Sequence, residues 1–246
     1  MEGLKRLEYR GYDSAGLSIG NKGQLNVVKK KGKIADLRKA VPQEFPGSWG
    51  IGHTRWATHG EVNDVNAHPH MDASGKIAVV HNGIIENYAV LQEKLKGEGV
   101  QFRSQTDSEV IVHLIASFYK GDLQKAVKQA LGLLRGTYGV LVMHVDHPDE
   151  IIGARNGSPL VLGIGEGEVF FASDVTAILG HTKQVVYLED GEVAYINRDG
   201  YHTTDLRDNV IDKQVETVGW ELEEIEKGSF SHFMLKEIFE QPASIL

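Results

Sequence analysis

The sequence predicts an α+β fold in which antiparallel sheets are covered by helices. Three observations carry this. Strand-like segments appear in the first fifty residues and again in quick succession from Tyr138 onward. Three amphipathic helical stretches lie between the two groups. Turn dipeptides separate the late strands. Strand pairs, then helices, then many strands is the order expected of sheets layered against helices. The late strands are too numerous for a small lobe, so two facing sheets with helices outside are expected.

The elements follow in order. Leu4 and Leu7 give the opening segment helical spacing, and Arg10 to Gly16 reads as a turn. Strands are expected around 17–19 and 24–30, a helix over 34–41, and strands over 49–54 and 77–81. Ile77-Ala-Val-Val80 is a continuous apolar run, which implies burial on both faces. Ile84, Tyr88, Leu91 and Leu95 share one helical face, as do Val110, Leu114 and Phe118, and then Leu123, Val127, Leu131 and Leu134. Thr106-Asp-Ser-Glu109 has the form of a capping box at the second of these helices. Strands are expected over 138–145, 151–155, 159–163, 168–172, 184–188 and 192–197, with turns at Asn156-Gly157, Asp190-Gly191 and Asp199-Gly200. A helix-like acidic piece, 221–227, precedes an amphipathic stretch over 232–240 that Pro242 should stop.

Bulk properties narrow the function. The chain has 246 residues, 41% hydrophobic and 24% charged, with a formal net charge of −8. An acidic chain lacks the basic field of a nucleic-acid binder. The longest basic run, Lys29-Lys-Lys31, reads as a solvated strand edge. No apolar run approaches the ~18 residues of a membrane span. The segment Met1 to Glu8 has no hydrophobic stretch of a secretory signal, so cytoplasm is the expected location. There is no cysteine, hence no disulfide, no zinc–thiolate site and no thiol nucleophile within these residues.

Chemistry concentrates between His53 and Asn87. Arg55 falls at a strand end beside Trp56, where a planar guanidinium fork would match a carboxylate; Thr58 and His59 could bond the same anion. Asp107 opens a helix, where an acidic side chain is ordinary; it would also serve as counter-charge to a ligand ammonium. An arginine and an aspartate at two ends of one pocket suit an amino acid. Asn82-Gly83, read as the end of a buried strand and the start of a helix, is either a turn or N-cap, or an oxyanion hole made from the Asn amide and the Gly N–H. His53, His59, His68 and His70 lie close together, but no metal-ligand spacing joins them, and neither metal nor cofactor is expected. Gly163-Ile-Gly-Glu-Gly167 lies between strands and is weak as a phosphate loop. Oxyanion donors and an amino-acid clamp without a nucleophile look like part of a larger machine.

Long motifs carry a resemblance. Leu7-Glu-Tyr-Arg-Gly-Tyr-Asp-Ser-Ala-Gly16, the stretch His53 to Gly60, Val65-Asn-Ala-His-Pro-His70, Val80-His-Asn-Gly-Ile-Ile-Glu-Asn87, Thr106-Asp107, Arg155-Asn-Gly-Ser-Pro-Leu160 and Lys236 to Pro242 closely resemble the glutaminase half of the glucosamine-6-phosphate synthase family, the glutamine–fructose-6-phosphate aminotransferases. The resemblance covers nearly the whole chain. It implies the N-terminal-nucleophile hydrolase fold, a four-layer αββα sandwich. It also implies a reaction in which an N-terminal cysteine, assisted by its own α-amino group, attacks the glutamine amide. Ammonia would pass through a channel to a sugar-isomerase half, in a parent protein expected to be a homodimer. On this sequence Arg55, Thr58 and His59 resemble the binders of the glutamine α-carboxylate and Asp107 the holder of its ammonium. Asn82 and Gly83 resemble the oxyanion hole, Trp56 the channel gate, and Arg10 and His68 residues near the nucleophile. The resemblance assigns 1–228 to the glutaminase domain and 229–246 to a junction helix.

The chain departs from the pattern in beginning inside the family's first helix, without the cysteine-bearing first strand, and in stopping before the isomerase half. The expectation is a polypeptide that neither hydrolyses glutamine nor makes glucosamine 6-phosphate, and that is weakened or dimerised by an exposed sheet edge. The glutaminase halves of amidophosphoribosyltransferases and asparagine synthetases fit the 10–16 and 56–59 motifs poorly. A nucleophile-free glutamine-binding module is the non-enzyme alternative.

Overall fold

A computed structural model describes residues 1–219, 230 and 233–245. Its elements are α1 (Glu2–Arg6), β1 (Ser14–Asn21), β2 (Gln24–Lys31), α2 (Ile34–Ala40), β3 (Trp49–Arg55), β4 (His70–Met71), β5 (Ile77–Ile85), α3 (Tyr88–Gly97), α4 (Glu109–Phe118), α5 (Leu123–Leu131), β6 (Gly136–His144), β7 (Ile151–Asn156), β8 (Val161–Ile164), β9 (Val169–Ala172), β10 (Gln184–Tyr187), β11 (Glu192–Asn197), β12 (Gly200–Asp205), β13 (Glu216–Thr217) and α6 (Phe233–Ile245). A 3₁₀ turn over Val175–Ala177 follows β9.

The strands form a six-stranded sheet, β12-β11-β7-β6-β5-β4, a three-stranded sheet, β2-β1-β3, and a four-stranded sheet, β13-β10-β8-β9. Neighbouring strands run antiparallel. Period-two alternation makes both faces of the large sheet apolar. Ile77 and Val79 of β5, with Val193 and Tyr195 of β11, face a core shared with α3, α4 and α5. Ala78, Val80, Ala194 and Ile196 face the other way, onto Ile51 of β3, Leu162 of β8 and Val186 of β10. Both small sheets therefore cover the same face of the large one, as two parts of a single layer. Beyond that layer, α2 packs on β1 through Leu37, Ile34 and Leu17, while Leu7 packs on the 3₁₀ turn and the four-stranded sheet. This is the αββα order, with one β layer divided between β3 and β9.

Four expectations need correction. Asn82 and Gly83 do not end their strand: β5 continues to Ile85, with Asn82 paired to Gly139 and Gly83 to Tyr138, and the helix begins only at Tyr88. Ile84 thus lies in a strand, not on the α3 face. The capping box is not made; Ser108 occupies the N-cap, and Glu109 bonds the backbone N–H groups of Arg103 and Ser104 instead. Thr106 is engaged with His70 Nε2 and the Ser104 hydroxyl. Pro242 lies inside α6, which continues to Ile245. The ring removes one backbone donor, and the residues beyond it keep helical conformation. The acidic piece at 221–227 and the start at 232 fall outside the described residues. Of the basic run, Lys30 pairs with Asp64 in the open, but Lys29 is half-buried and donates from Nζ to the Val65 carbonyl at 2.8 Å.

Leu162 is fully buried where β8 meets the large sheet. Replacing it with alanine should cost about 2–5 kcal/mol. Denaturant titration is expected to show a lower midpoint at an unchanged slope.

Candidate active site

The same alternation builds the site. On β3 the inward residues are Ile51, His53 and Arg55; on β5, Val80 is followed two places later by Asn82. Apolar contact between the layers gives way at this end to facing polar groups. They line a cavity of about 740 Å³ that runs along β3, passes the β5 residues Val80 to Gly83, and reaches β9.

Arg55 and Asp107 line this one cavity, and both are nearly inaccessible, at 4% and 3% exposure. Their local roles differ from those of a bare clamp. The Arg55 guanidinium donates to the carbonyls of His59 and of Glu61, the latter at 3.3 Å. It thereby holds the loop after Trp56 in a tight return, and of its five N–H donors others remain for a ligand. Burial lowers its pKa from the usual arginine value, opposed by the charges of Asp13 and Asp107. Asp107 precedes α4; its Oδ2 accepts from Ile85 N at 2.8 Å, and its Oδ1 lies 3.8 Å from His59 Nδ1. Thr58 is exposed, with its hydroxyl 3.3 Å from His59 Nδ1, and the His59 ring meets Tyr88 edge-on.

The rest of the loop is pinned by residues to which the sequence reading assigned no role. Asp13 accepts from Ala57 N. Asn66 donates to Glu61 O at 2.9 Å and exchanges bonds with Gln105 through both side-chain ends. The available signal was the place of Asn66 within the Val65–His70 motif. Trp56 stands 63% exposed at the rim against Tyr12, with ring centroids 5.7 Å apart. Arg10 lines the same cavity and pairs with Asp174 at 3.0 Å.

Gly83 adopts φ +124°, a conformation open in practice only to glycine, and a Cβ there would stand 2.2 Å from the Thr137 carbonyl oxygen. Asn82 Oδ1 lies 2.8 Å from His53 Nε2. Behind it are three more buried histidines. His68 stacks on His53 at 4.2 Å and meets His70 edge-on at 4.6 Å. His68 Nδ1 accepts from His81 N, and His81 bonds the Ser108 hydroxyl and the Thr137 carbonyl. Burial holds all four neutral, taking His53 down to about 4, His70 to about 3, and His68 and His81 below the ordinary imidazole value. No group of three His, Cys, Asp or Glu among the described residues is disposed to hold a metal ion. No helix among them is long and apolar enough to cross a membrane.

Chemically, the cavity offers a buried cation and a buried carboxylate, together with an amide and a glycine on β5. The layered fold carrying it is that of the N-terminal-nucleophile amidotransferases. Glutamine phosphoribosylpyrophosphate amidotransferase from B. subtilis, complexed with ADP and GMP, superposes with a TM-score of 0.69 at 30% identity, over 85% of this chain and 46% of that one. An allosteric regulatory enzyme of purine biosynthesis gives 0.73 at 29%, with the same coverage. The glutamine amidotransferase domain model matches residues 53–180, just over half of the chain, and the chain belongs to that family. Glutamine–fructose-6-phosphate aminotransferase (isomerizing) of Aquifex aeolicus is 53% identical over 243 residues, covering 98% of this chain and 41% of the relative. The enzyme of the same name from Bacteroides thetaiotaomicron is 53% identical over 251 residues, covering 100% and 41%. The chain thus spans about two fifths of the length of these curated relatives.

Two outcomes are expected. Gly83→Ala should destabilise the fold by about 3 kcal/mol or more, from backbone strain and the clash together; thermal and denaturant unfolding measure it. The neutral histidines make stability depend on acid. Below about pH 6.5 their unfolded forms take up protons that the native forms refuse, so stability is full above that pH. It should fall as pH drops toward 5, by about 1.4 kcal/mol per pH unit for each histidine held neutral. Unfolding free energies at pH 7, 6 and 5 would read this directly.

Proposed function

We propose that these residues form the glutamine-binding and amide-activating part of the glutaminase domain of a glutamine–fructose-6-phosphate aminotransferase. The observation that carries the reading is the convergence of Arg55, Asp107, Asn82 and Gly83 on one cavity. Arg55, with Thr58 and His59, binds the α-carboxylate of glutamine, and Asp107 binds its ammonium. The side-chain amide then lies over β5, where the Asn82 amide and the Gly83 N–H stabilise charge on its carbonyl oxygen. Trp56 at the rim gates the exit of ammonia, and Arg10 and His68 flank the attacking group. The domain occupies 1–228, and 229–246 leads toward a sugar-isomerase domain of a cytoplasmic, homodimeric parent that makes glucosamine 6-phosphate.

The nucleophile is a cysteine at the start of an extended strand. Both β3 and β9 end their sheets and line the cavity, where such a residue would meet the amide. The thiol adds to the amide carbon, the nitrogen departs as ammonia once protonated, and water hydrolyses the thioester to glutamate. The 246 residues contain no cysteine, so a polypeptide of these residues alone binds glutamine without turning it over. That lack also favours a second reading, a glutamine- or glutamate-binding module with no chemistry of its own.

Calorimetric titration with L-glutamine, together with a glutamate-release assay, tests the proposal. Binding without release above a buffer blank is expected. Arg55→Ala and Asp107→Asn should each weaken binding by about 10- to 100-fold, the cost of losing a hydrogen bond to a charged group. The asparagine keeps an acceptor for Ile85 N. Unchanged affinity in both variants would sink the clamp.

A further inference from the structure

His53 has no role in the site as described so far, yet it is the side chain that bonds Asn82. The two residues belong to different β layers, with His53 on β3 and Asn82 on β5, and their bond of 2.8 Å crosses between them. We propose that His53 is a positioning residue whose Nε2–H holds Asn82 Oδ1 and so turns the Asn82 amide NH2 into the cavity.

An asparagine amide placed beside a ring nitrogen can sit in two ways, and the tautomer of the ring selects between them. With the proton on Nε2, the ring donates to Oδ1 and the NH2 is left to donate elsewhere. With the proton on Nδ1, the ring presents a lone pair, the amide flips, and its oxygen faces the cavity. An oxygen there would repel a developing oxyanion instead of stabilising it.

The orientation of Asn82 marks the first state, since Oδ1 is the amide atom 2.8 Å from Nε2. His53 Nδ1 is buried and makes no hydrogen bond among the described residues, while the main chain of His81 near the ring favours its protonation. The His68 ring, stacked at 4.2 Å and inclined by 20°, limits rotation of His53. His68 is itself held, since its Nδ1 accepts the His81 N–H. Asn82 Nδ2 has no bond to any described residue, and Asn82 is half-exposed on the cavity wall. Burial keeps His53 neutral, so one ring nitrogen alone carries a proton.

The inference rests on the oxyanion reading of Asn82, and the test separates the two. Long-range ¹H–¹⁵N correlation spectra of the labelled 246-residue chain identify the protonated nitrogen of His53. Glutamine titrations then follow the Asn82 side-chain amide in wild type, His53→Gln and His53→Leu. Glutamine places a donor near the position of Nε2; leucine has none. Expected are an Nε2–H ring, a shift of the Asn82 NH2 signals on binding, near wild-type affinity in His53→Gln, and about tenfold weaker affinity in His53→Leu. The wild-type spectrum keeps the test decisive even if the leucine variant fails to fold. An Nδ1–H ring, or a folded His53→Leu that binds as wild type does, overturns the positioning role and leaves the glutamine site standing. Glutamine binding with no response at Asn82 overturns the oxyanion reading, and the positioning role with it.

Discussion

Two β layers must cover each other's apolar faces, and one of them is divided. Every feature of the site follows from this. Where β8 and β10 meet the large sheet, the interface is filled by Leu162, Val186 and Ala194. Toward β3, the inward positions change from Ile51 to His53 and Arg55, while β5 changes from Val80 to Asn82. Polar groups in such a place lose their hydration and must find partners. Arg55 finds the carbonyls of its own returning loop, Asp107 the Ile85 N–H, and Asn82 the ring of His53. The scaffold thus binds this end of the two layers together through groups that line the cavity.

Much of this architecture was legible in the sequence because its periodicity is clean. The run Ile77 to Val80 implied burial on two faces, and alternate residues do enter two different cores. Helices α2, α4 and α5 fall where their apolar spacing puts them. What escaped is short or irregular. β4 and β13 have two residues each, too few to show alternation. β12, with Gly200, His202, Thr203 and Thr204, has little apolar signal to offer. The 3₁₀ turn after β9 is three residues long. The division of the second β layer depends on which edges pair, and no local pattern encodes that.

The site residues were legible as types and less so as geometry. Asn82-Gly83 resembles a turn because asparagine and glycine both favour positive φ. Here only Gly83 uses it, and the ladder to β6 carries the pair onward as strand. Glu109 closes no capping box, because Thr106 bonds His70 and the Glu109 carboxylate turns to the N–H groups of Arg103 and Ser104. His53 gave a usable signal: it lies midway between Ile51 and Arg55 on a period-two strand, so it had to face inward. A histidine in that position needs a partner, and the partner is Asn82 of the opposite layer.

Arg55 belongs to the three-stranded sheet, whereas Asp107 is tied through Ile85 N to the six-stranded one. A ligand that engages both therefore staples one layer to the other, across the interface that must open when the protein unfolds. Its binding energy becomes mechanical reinforcement of the fold. By mass action, saturation at a hundred times the dissociation constant adds about 2.7 kcal/mol to the stability of the native state. An amino acid held between the two layers would act, for as long as it stayed, as a removable piece of the core.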